Sequence, residues 1–196
     1  NFLAERRKIL SEQLNNFLTS LSKEGSVEAI VSIDSIIEKG ESDELEFKST
    51  YQWNLETNQT DKNLVQAILK TIAAFSNTDG GTLLIGVNNN GEIVGLESDY
   101  KCLNKGYDKD MFELVLRNAI ESSFGTTFAS RKIKTEFHEI NEKEICKIDI
   151  EKNDELLFLE VRDKNDNKKK EAFTRVGNAS KILGPEEIVK YSEENF

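Results

Sequence analysis

The sequence is poor in the residues from which small proteins build unusual sites. Its 196 residues include one proline, one methionine, one tryptophan, two cysteines and a single histidine, His138. One histidine and no CxxC pair leave no nitrogen and sulfur ligand set for zinc. Cys102 and Cys146 are far apart behind a start that does not resemble a signal peptide, so they read as reduced thiols of a cytoplasmic protein. No apolar run approaches the ~20 residues a membrane helix needs. Positive charge is also in short supply: 36 acidic side chains face 26 basic ones, for a net charge of −10. That balance excludes a general nucleic-acid coat or a polybasic membrane-surface protein. What remains, 37% hydrophobic and 32% charged residues, suits one folded and rather polar domain with a core of its own. A start at Asn1 instead of Met reads as a segment of a longer polypeptide or as a processed chain.

Charge is unevenly distributed. Residues 1–24 carry four basic and three acidic side chains, and residues 162–175 carry six against three. With two Lys and four Glu in 176–196, the stretch 25–161 holds a net −12. The domain is therefore acidic in bulk, with one basic segment standing out.

Leu3, Leu10, Leu14, Phe17, Leu18 and Leu21 fall on one stripe at helical spacing, and Gly25 ends that helix. The helix either packs on its own domain or serves as a connector or dimerisation element. A second short helix with Ile30, Ile33, Ile36 and Ile37 runs to Gly40. From Glu44 the period changes to two, with Leu45 and Phe47 alternating with Glu46 and Lys48 on a strand. Asp61 caps a helix through Leu64, Ile68, Ile72 and Phe75, stopped by Gly80-Gly81. Thr82–Val87 reads as a buried strand, with Asn90-Gly91 signalling a hairpin return through Ile93 and Val94. A helix near Asp110–Phe124 precedes strands at Lys132–Ile140, Ile145–Ile150 and Leu156–Val161. Then come a lysine-rich loop over Asp163–Lys170, a strand at Ala172–Val176 and a last helix opened by Pro185. This order predicts an α+β fold with a mixed, largely antiparallel sheet packed with helices and preceded by N-terminal helices: an extension or connector over 1–40, and the main domain over 41–196.

Three places can carry chemistry. Glu46 and Lys48 share one face of a strand, a spacing at which a carboxylate holds a divalent ion while an ammonium faces a phosphate or steadies the attacking water; Glu41 or Glu44 can supply a second acidic ligand. A solvated charged face of an edge strand has the same pattern. Gly80-Gly81 and Gly86 invite a phosphate-loop reading, but the glycines follow a helix instead of preceding one. The better account is a left-handed cap at Gly80 or Gly81 and a close backbone approach at Gly86. Lys164, Lys168, Lys169 and Lys170 on a flexible hairpin can track a phosphate backbone, and Arg175 can fork onto a phosphate. Phe173 is a stacking surface or a core residue. Tyr51 and Trp53 are a stacking surface or a lid over the core. His138 reads as a strand residue beside Phe137.

Taken in order, Glu41-Ser…Glu46-Phe-Lys48, Ala74-Phe-Ser-Asn77-Thr-Asp-Gly-Gly-Thr-Leu-Leu-Ile-Gly-Val87, Gly91-Glu-Ile-Val-Gly-Leu96 and Phe173-Thr-Arg175-Val-Gly177-Asn-Ala-Ser180 resemble the Schlafen-type AlbA-like domain. The resemblance runs from about residue 41 to the C-terminus. It implies an Alba-related α+β fold and a nucleic-acid-binding role of the kind found in bacterial regulators and defence-related proteins, often fused to other modules. Some Schlafen proteins are metal-dependent endoribonucleases using two glutamates and an aspartate. By that resemblance the glutamates map to Glu41 and Glu46, with Lys48 as their phosphate or water partner and Mg or Mn as the ion. The aspartate position falls at Asn88-Asn89-Asn90, where Asn88 is a weaker, neutral ligand.

Three functions follow. The leading one is a module that binds DNA or RNA through Lys48, the 164–170 lysines and Arg175, as the C-terminal part of a larger regulatory or defence-related protein. The second is a divalent-metal nuclease with a degraded third ligand. The third is a protein-interaction or dimerisation domain, in which the N-terminal helix meets a second copy or missing domains.

Overall fold

A computed structural model of the protein describes residues 6–11, 13–15, 32–103, 108–162 and 167–196. The chain divides into two units, residues 1–39 and 40–196. In the first, residues 6–11 and 13–15 are helical (α1) and α2 spans Ile33–Ile37. Ser32 caps α2, its hydroxyl oxygen accepting the Ser35 N–H at 3.3 Å. Of the N-terminal apolar stripe, Leu10 and Leu14 are exposed on α1; Leu3, Phe17, Leu18 and Leu21, like Ile30 before α2, lie outside the described residues.

The second unit is α+β. A four-stranded sheet has the order β1 (Leu45–Lys48), β4 (Gly81–Ile85), β6 (Lys143–Ile150), β5 (Ile133–Ile140). β1 and β4 run parallel and the other pairs antiparallel. A second sheet has the order β7 (Phe158–Arg162), β8 (Lys168–Val176), β9 (Ala179–Ile182), all antiparallel. The helix α3 (Lys62–Ser76) packs on both sheets. Asp61 starts it by accepting the Asn63 N–H at 2.8 Å, and Ile68, Ile72 and Phe75 are fully buried at helical spacing. The helix α5 (Lys109–Phe124), capped by Asp108, adds Phe112, Leu116 and Ile120 to the same core. Tyr51 belongs to that core too, edge-on to Phe112 at 5.5 Å between ring centres, whereas Trp53 is half-buried. The last helix, α7 (Pro185–Asn195), opens on Pro185 as the sequence predicts.

Glycine does what the helix-first order requires. Gly80 has φ +84, and its N–H returns to Phe75 O at 2.9 Å, closing the turn after α3. A Cβ there would lie 2.6 Å from Ile150 O. Gly86, at φ +96, accepts the Val94 and Gly95 N–H groups at 2.8 and 3.0 Å.

Two expectations need correction. The Asn90-Gly91 turn forms, but its return is a single bridge between Val87 and Ile93 instead of a ladder, because the chain folds back onto Gly86 at once. Lys168, Lys169 and Lys170 are not on a loop. They begin β8, paired with Arg162, Val161 and Glu160; the cross-strand Lys168–Glu160 ion pair and the buried Leu159 and Val161 extend the ladder through them. The short elements β2 (Trp53–Asn54), β3 (Gln59–Thr60), α4 (Glu97–Lys101), α6 (Thr126–Arg131) and β9 carried no sequence signal strong enough to place them.

Candidate functional site

Glu46 and Lys48 project from the same side of β1, as their spacing predicts, and form an ion pair. The other Glu46 oxygen accepts from Arg175 Nη1 at 2.8 Å. Arg175 reaches from β8, with only 2% of its side chain exposed. Its Nη2 donates to Ser42 O at 2.7 Å, its Nε faces Asp43 O at 3.4 Å, and the guanidinium lies 4.6 Å over the Phe75 ring. One buried cation thus ties the strand β8, the segment before β1 and the end of α3 together. Glu41 Oε1 accepts the backbone N–H of Phe47 at 2.9 Å, satisfying a donor on the open edge of β1.

Asn88 lies beyond β4. Its Oδ1 accepts the N–H groups of Asn90 and Glu92, both at 3.0 Å, and its Nδ2 donates to Glu92 at 2.6 Å. These bonds shape the Asn90-Gly91 turn. A divalent ion requires carboxylate oxygens free to turn to one point. Both oxygens of Glu46 are held by cations, Glu41 holds a backbone N–H and Asn88 holds its own turn. Among the described residues, no three His, Cys, Asp or Glu side chains gather in a way that could share an ion. As arranged, Glu41, Glu46 and Asn88 do not fit a magnesium or manganese ion.

The central motif owes its residues to a junction. Asn77, fully buried, donates from Nδ2 to Leu157 O and Phe173 O, both at 2.9 Å, and accepts the Leu157 N–H at 2.7 Å. Thr78 Oγ1 accepts the Arg175 N–H at 3.0 Å. The end of α3 is therefore bolted to β8 and to the segment entering β7.

The exposed cations lie at the other end of β8. The register places Arg162, Lys168, Lys170 and Glu160 together on one face of the β7–β8 ladder. Lys168 Nζ pairs with Glu160 at 2.7 Å, a hydrogen bond that holds the Glu160 carboxyl below its usual range. Lys169 pairs with Glu171 at 2.6 Å on the opposite face. Lys164 lies outside the described residues. Phe173 is buried, with Lys70 Nζ 5.5 Å from its ring centre. His138 is on β5, 3.7 Å from Glu136, its Nε2 buried without a hydrogen-bond partner.

Sequence reasoning missed Asn77 as the bolt and Asp99 as a second one. The Asp99 carboxylate, fully buried, accepts the N–H groups of Tyr51, Gln52 and Trp53 at 2.8, 2.8 and 3.0 Å. Burial pushes its carboxyl above the usual range, and the three N–H donors pull it partly back. Nothing local marks Asp99, since its partners lie more than forty residues away; only the fixed polarity of the Asn77 motif hinted at a structural role.

An α+β domain with a parallel β1–β4 pair and its motif residues locked onto an arginine-bearing strand is the class the geometry defines. The family model described as "Schlafen, AlbA_2" matches residues 41–184, and the chain belongs to that family, which is one of nucleic-acid-related domains. The DIP2311 protein from Corynebacterium diphtheriae is similar in fold: its crystal structure shares a TM-score of 0.50 and 16% identity with this chain, over 97% of it. The chain spans 29% of the length of that protein's chain. No curated protein is similar enough to this sequence to match it. Among the described residues, no helix is long and apolar enough to cross a membrane.

Proposed function

We propose that the domain is a nucleic-acid-binding module, part of a larger regulatory or defence-related protein of the reducing cytoplasm, that contacts its ligand through the exposed end of β7–β8 and performs no hydrolysis. The observation that carries this reading is the cluster of Arg162, Lys168 and Lys170 on one exposed strand face of an otherwise acidic protein. Exposed lysine–carboxylate pairs cost little to exchange for phosphate. Arg175, in this reading, positions β1 against β8 and does not itself touch phosphate, because its donors are spent on Glu46 and on backbone carbonyls. Lys48, half-buried and paired with Glu46, contributes at the rim at most.

The test is anisotropy of labelled single-stranded RNA, duplex DNA and transfer RNA at two salt concentrations, with Mn²⁺ or EDTA, followed by a gel of each mixture. Intact ligand bound in a salt-sensitive way, and lost on Lys168→Glu with Lys170→Glu, supports the module; affinity unchanged in that variant overturns it. With two or three phosphates neutralised, log K should fall against log salt with a slope of about −1.5 to −2.5. Metal-dependent fragments that vanish in Glu46→Gln would establish a nuclease instead.

A second reading concerns residues 1–39. Ile9, Leu10 and Leu14 are exposed at 50%, 58% and 58%, an apolar stripe suited to a second copy or another domain. Light scattering with and without residues 1–24 tests it, an unchanged mass removing the helix from the assembly.

A further inference from the structure

The outer face of the β7–β8 ladder is half covered. Ala172 and Thr174 are buried on it, and the Tyr191 hydroxyl of α7 meets Thr174 Oγ1 at 2.8 Å. Past the edge of α7 the same face is open, and there it carries Glu160, Lys170, Arg162 and Lys168. Phe158 stands at the boundary, opposite Ala172, which is two residues along β8 from Lys170. It is 37% exposed, unusual for a phenylalanine with a core so near. Beside it opens a groove of about 640 Å³, lined by Leu156, Phe158, Ile188, Val189 and Phe196, a size that small-ligand sites commonly have (~300–1,000 Å³). Asp154, Glu155 and Glu193 border the groove. A phosphate is repelled from such a rim, whereas a neutral base is not, and its amino groups find acceptors there.

We infer that this face takes a single-stranded nucleic acid, with phosphates on Arg162, Lys168 and Lys170 and one base stacked on Phe158 in the groove beside α7. The inference rests on the reading of the domain as a nucleic-acid binder and adds which strand form is bound and by what. Residues two apart on a strand are about 6.7 Å apart, close to one nucleotide step in an extended single strand, so phosphate on Lys170 leaves the adjoining base within reach of Phe158. A cationic track beside an aromatic face is the arrangement that holds single strands without reading sequence. A duplex keeps its bases stacked on one another and offers this pocket nothing.

The experiment uses the full chain and fluorescent twelve-nucleotide single strands of RNA and of DNA, the matching duplexes, and a single strand carrying 2-aminopurine. Three variants are compared: Phe158→Ala, Phe158→Leu, which keeps apolar bulk without a π-face, and Phe158→Tyr, which keeps the ring. Circular dichroism and the thermal midpoint of each report whether it is folded. Expected are tighter binding of at least one kind of single strand than of its duplex, quenching of 2-aminopurine on binding, a loss of about tenfold in Phe158→Ala and Phe158→Leu, and near wild-type affinity in Phe158→Tyr. Single-strand binding by the wild type that Phe158→Leu leaves unchanged, or a duplex bound equally well, overturns this inference while the binding function stands. If the wild type binds no strand even at about 50 mM salt, where phosphate contacts are strong, the proposed function itself falls.

Discussion

The two ends of β8 carry the same charge and do opposite things. At one end Lys168 and Lys170 are exposed, and Lys168 pairs with a surface carboxylate, Glu160. At the other, Arg175 is almost wholly buried and bonded to a carboxylate and two carbonyl oxygens over an aromatic ring. The planar guanidinium explains the choice, since it can satisfy several acceptors at once inside the protein while an ammonium stays with water. A cation on a strand thus stays in water or becomes a structural tie depending on what lies behind it.

The comparison is broken most severely by removing the buried end. Arg175→Ala leaves Glu46 with Lys48 but takes the donor from Ser42 O and empties the space over Phe75, and a loss of about 3 kcal/mol in denaturant unfolding is expected. Arg175→Lys should recover only part of it. Asn77→Ala strands Leu157 N–H, Leu157 O and Phe173 O; about 3 kcal/mol is expected to go, measured the same way.

The exposed end should behave in the converse manner. Lys168→Glu with Lys170→Glu places like charges against Glu160 on an exposed face and is expected to cost only a small fraction of the stability that Arg175→Ala loses, while nucleic-acid affinity disappears in the anisotropy titration. A variant that both unfolds and stops binding would erase the distinction between the two ends. Glu160→Gln sharpens it most gently. With the carboxylate that Lys168 and Lys170 now face removed, affinity should rise a few-fold at low salt and the rise should vanish at high salt.

Asp99 supplies a pH test of the core independent of binding. Because its carboxyl titrates above the usual range when folded, protonation favours the folded state. Its contribution is complete below about pH 4, the ordinary carboxyl value, and declines as pH rises through the higher folded value. The denaturation midpoint of the wild type should fall relative to that of Asp99→Asn over that interval. A difference independent of pH would show that the three N–H donors balance burial, and a wild-type midpoint that rises with pH would show that they outweigh it.

Much of the fold was legible because it is written in short range. Period-two alternation marked β1, strand-like stretches marked β5 and β6, the 3.6-residue period with Asp61 marked α3, and Gly80 announced the turn that closes it. The hairpin return after Gly91 was overstated because its signal is turn chemistry, which says nothing of how far pairing continues. Lys168–Lys170 read as loop because three lysines carry no strand propensity; their pairing depends on Phe158–Arg162, whose register a local reading does not supply. Glu46 and Lys48 were placed correctly on one face, but Arg175, 129 residues away, was not seen to complete their charge.

By itself, then, the sequence determined the order of elements, the α+β class and the family motifs, since capping, periodicity and glycine turns act within a few residues of one another. Only the tertiary structure decided which charges are buried and which stay exposed. That choice follows from distant segments meeting: Arg175 lost its water to α3 and the segment before β1, while Lys168 and Lys170, earlier on the same strand, kept theirs.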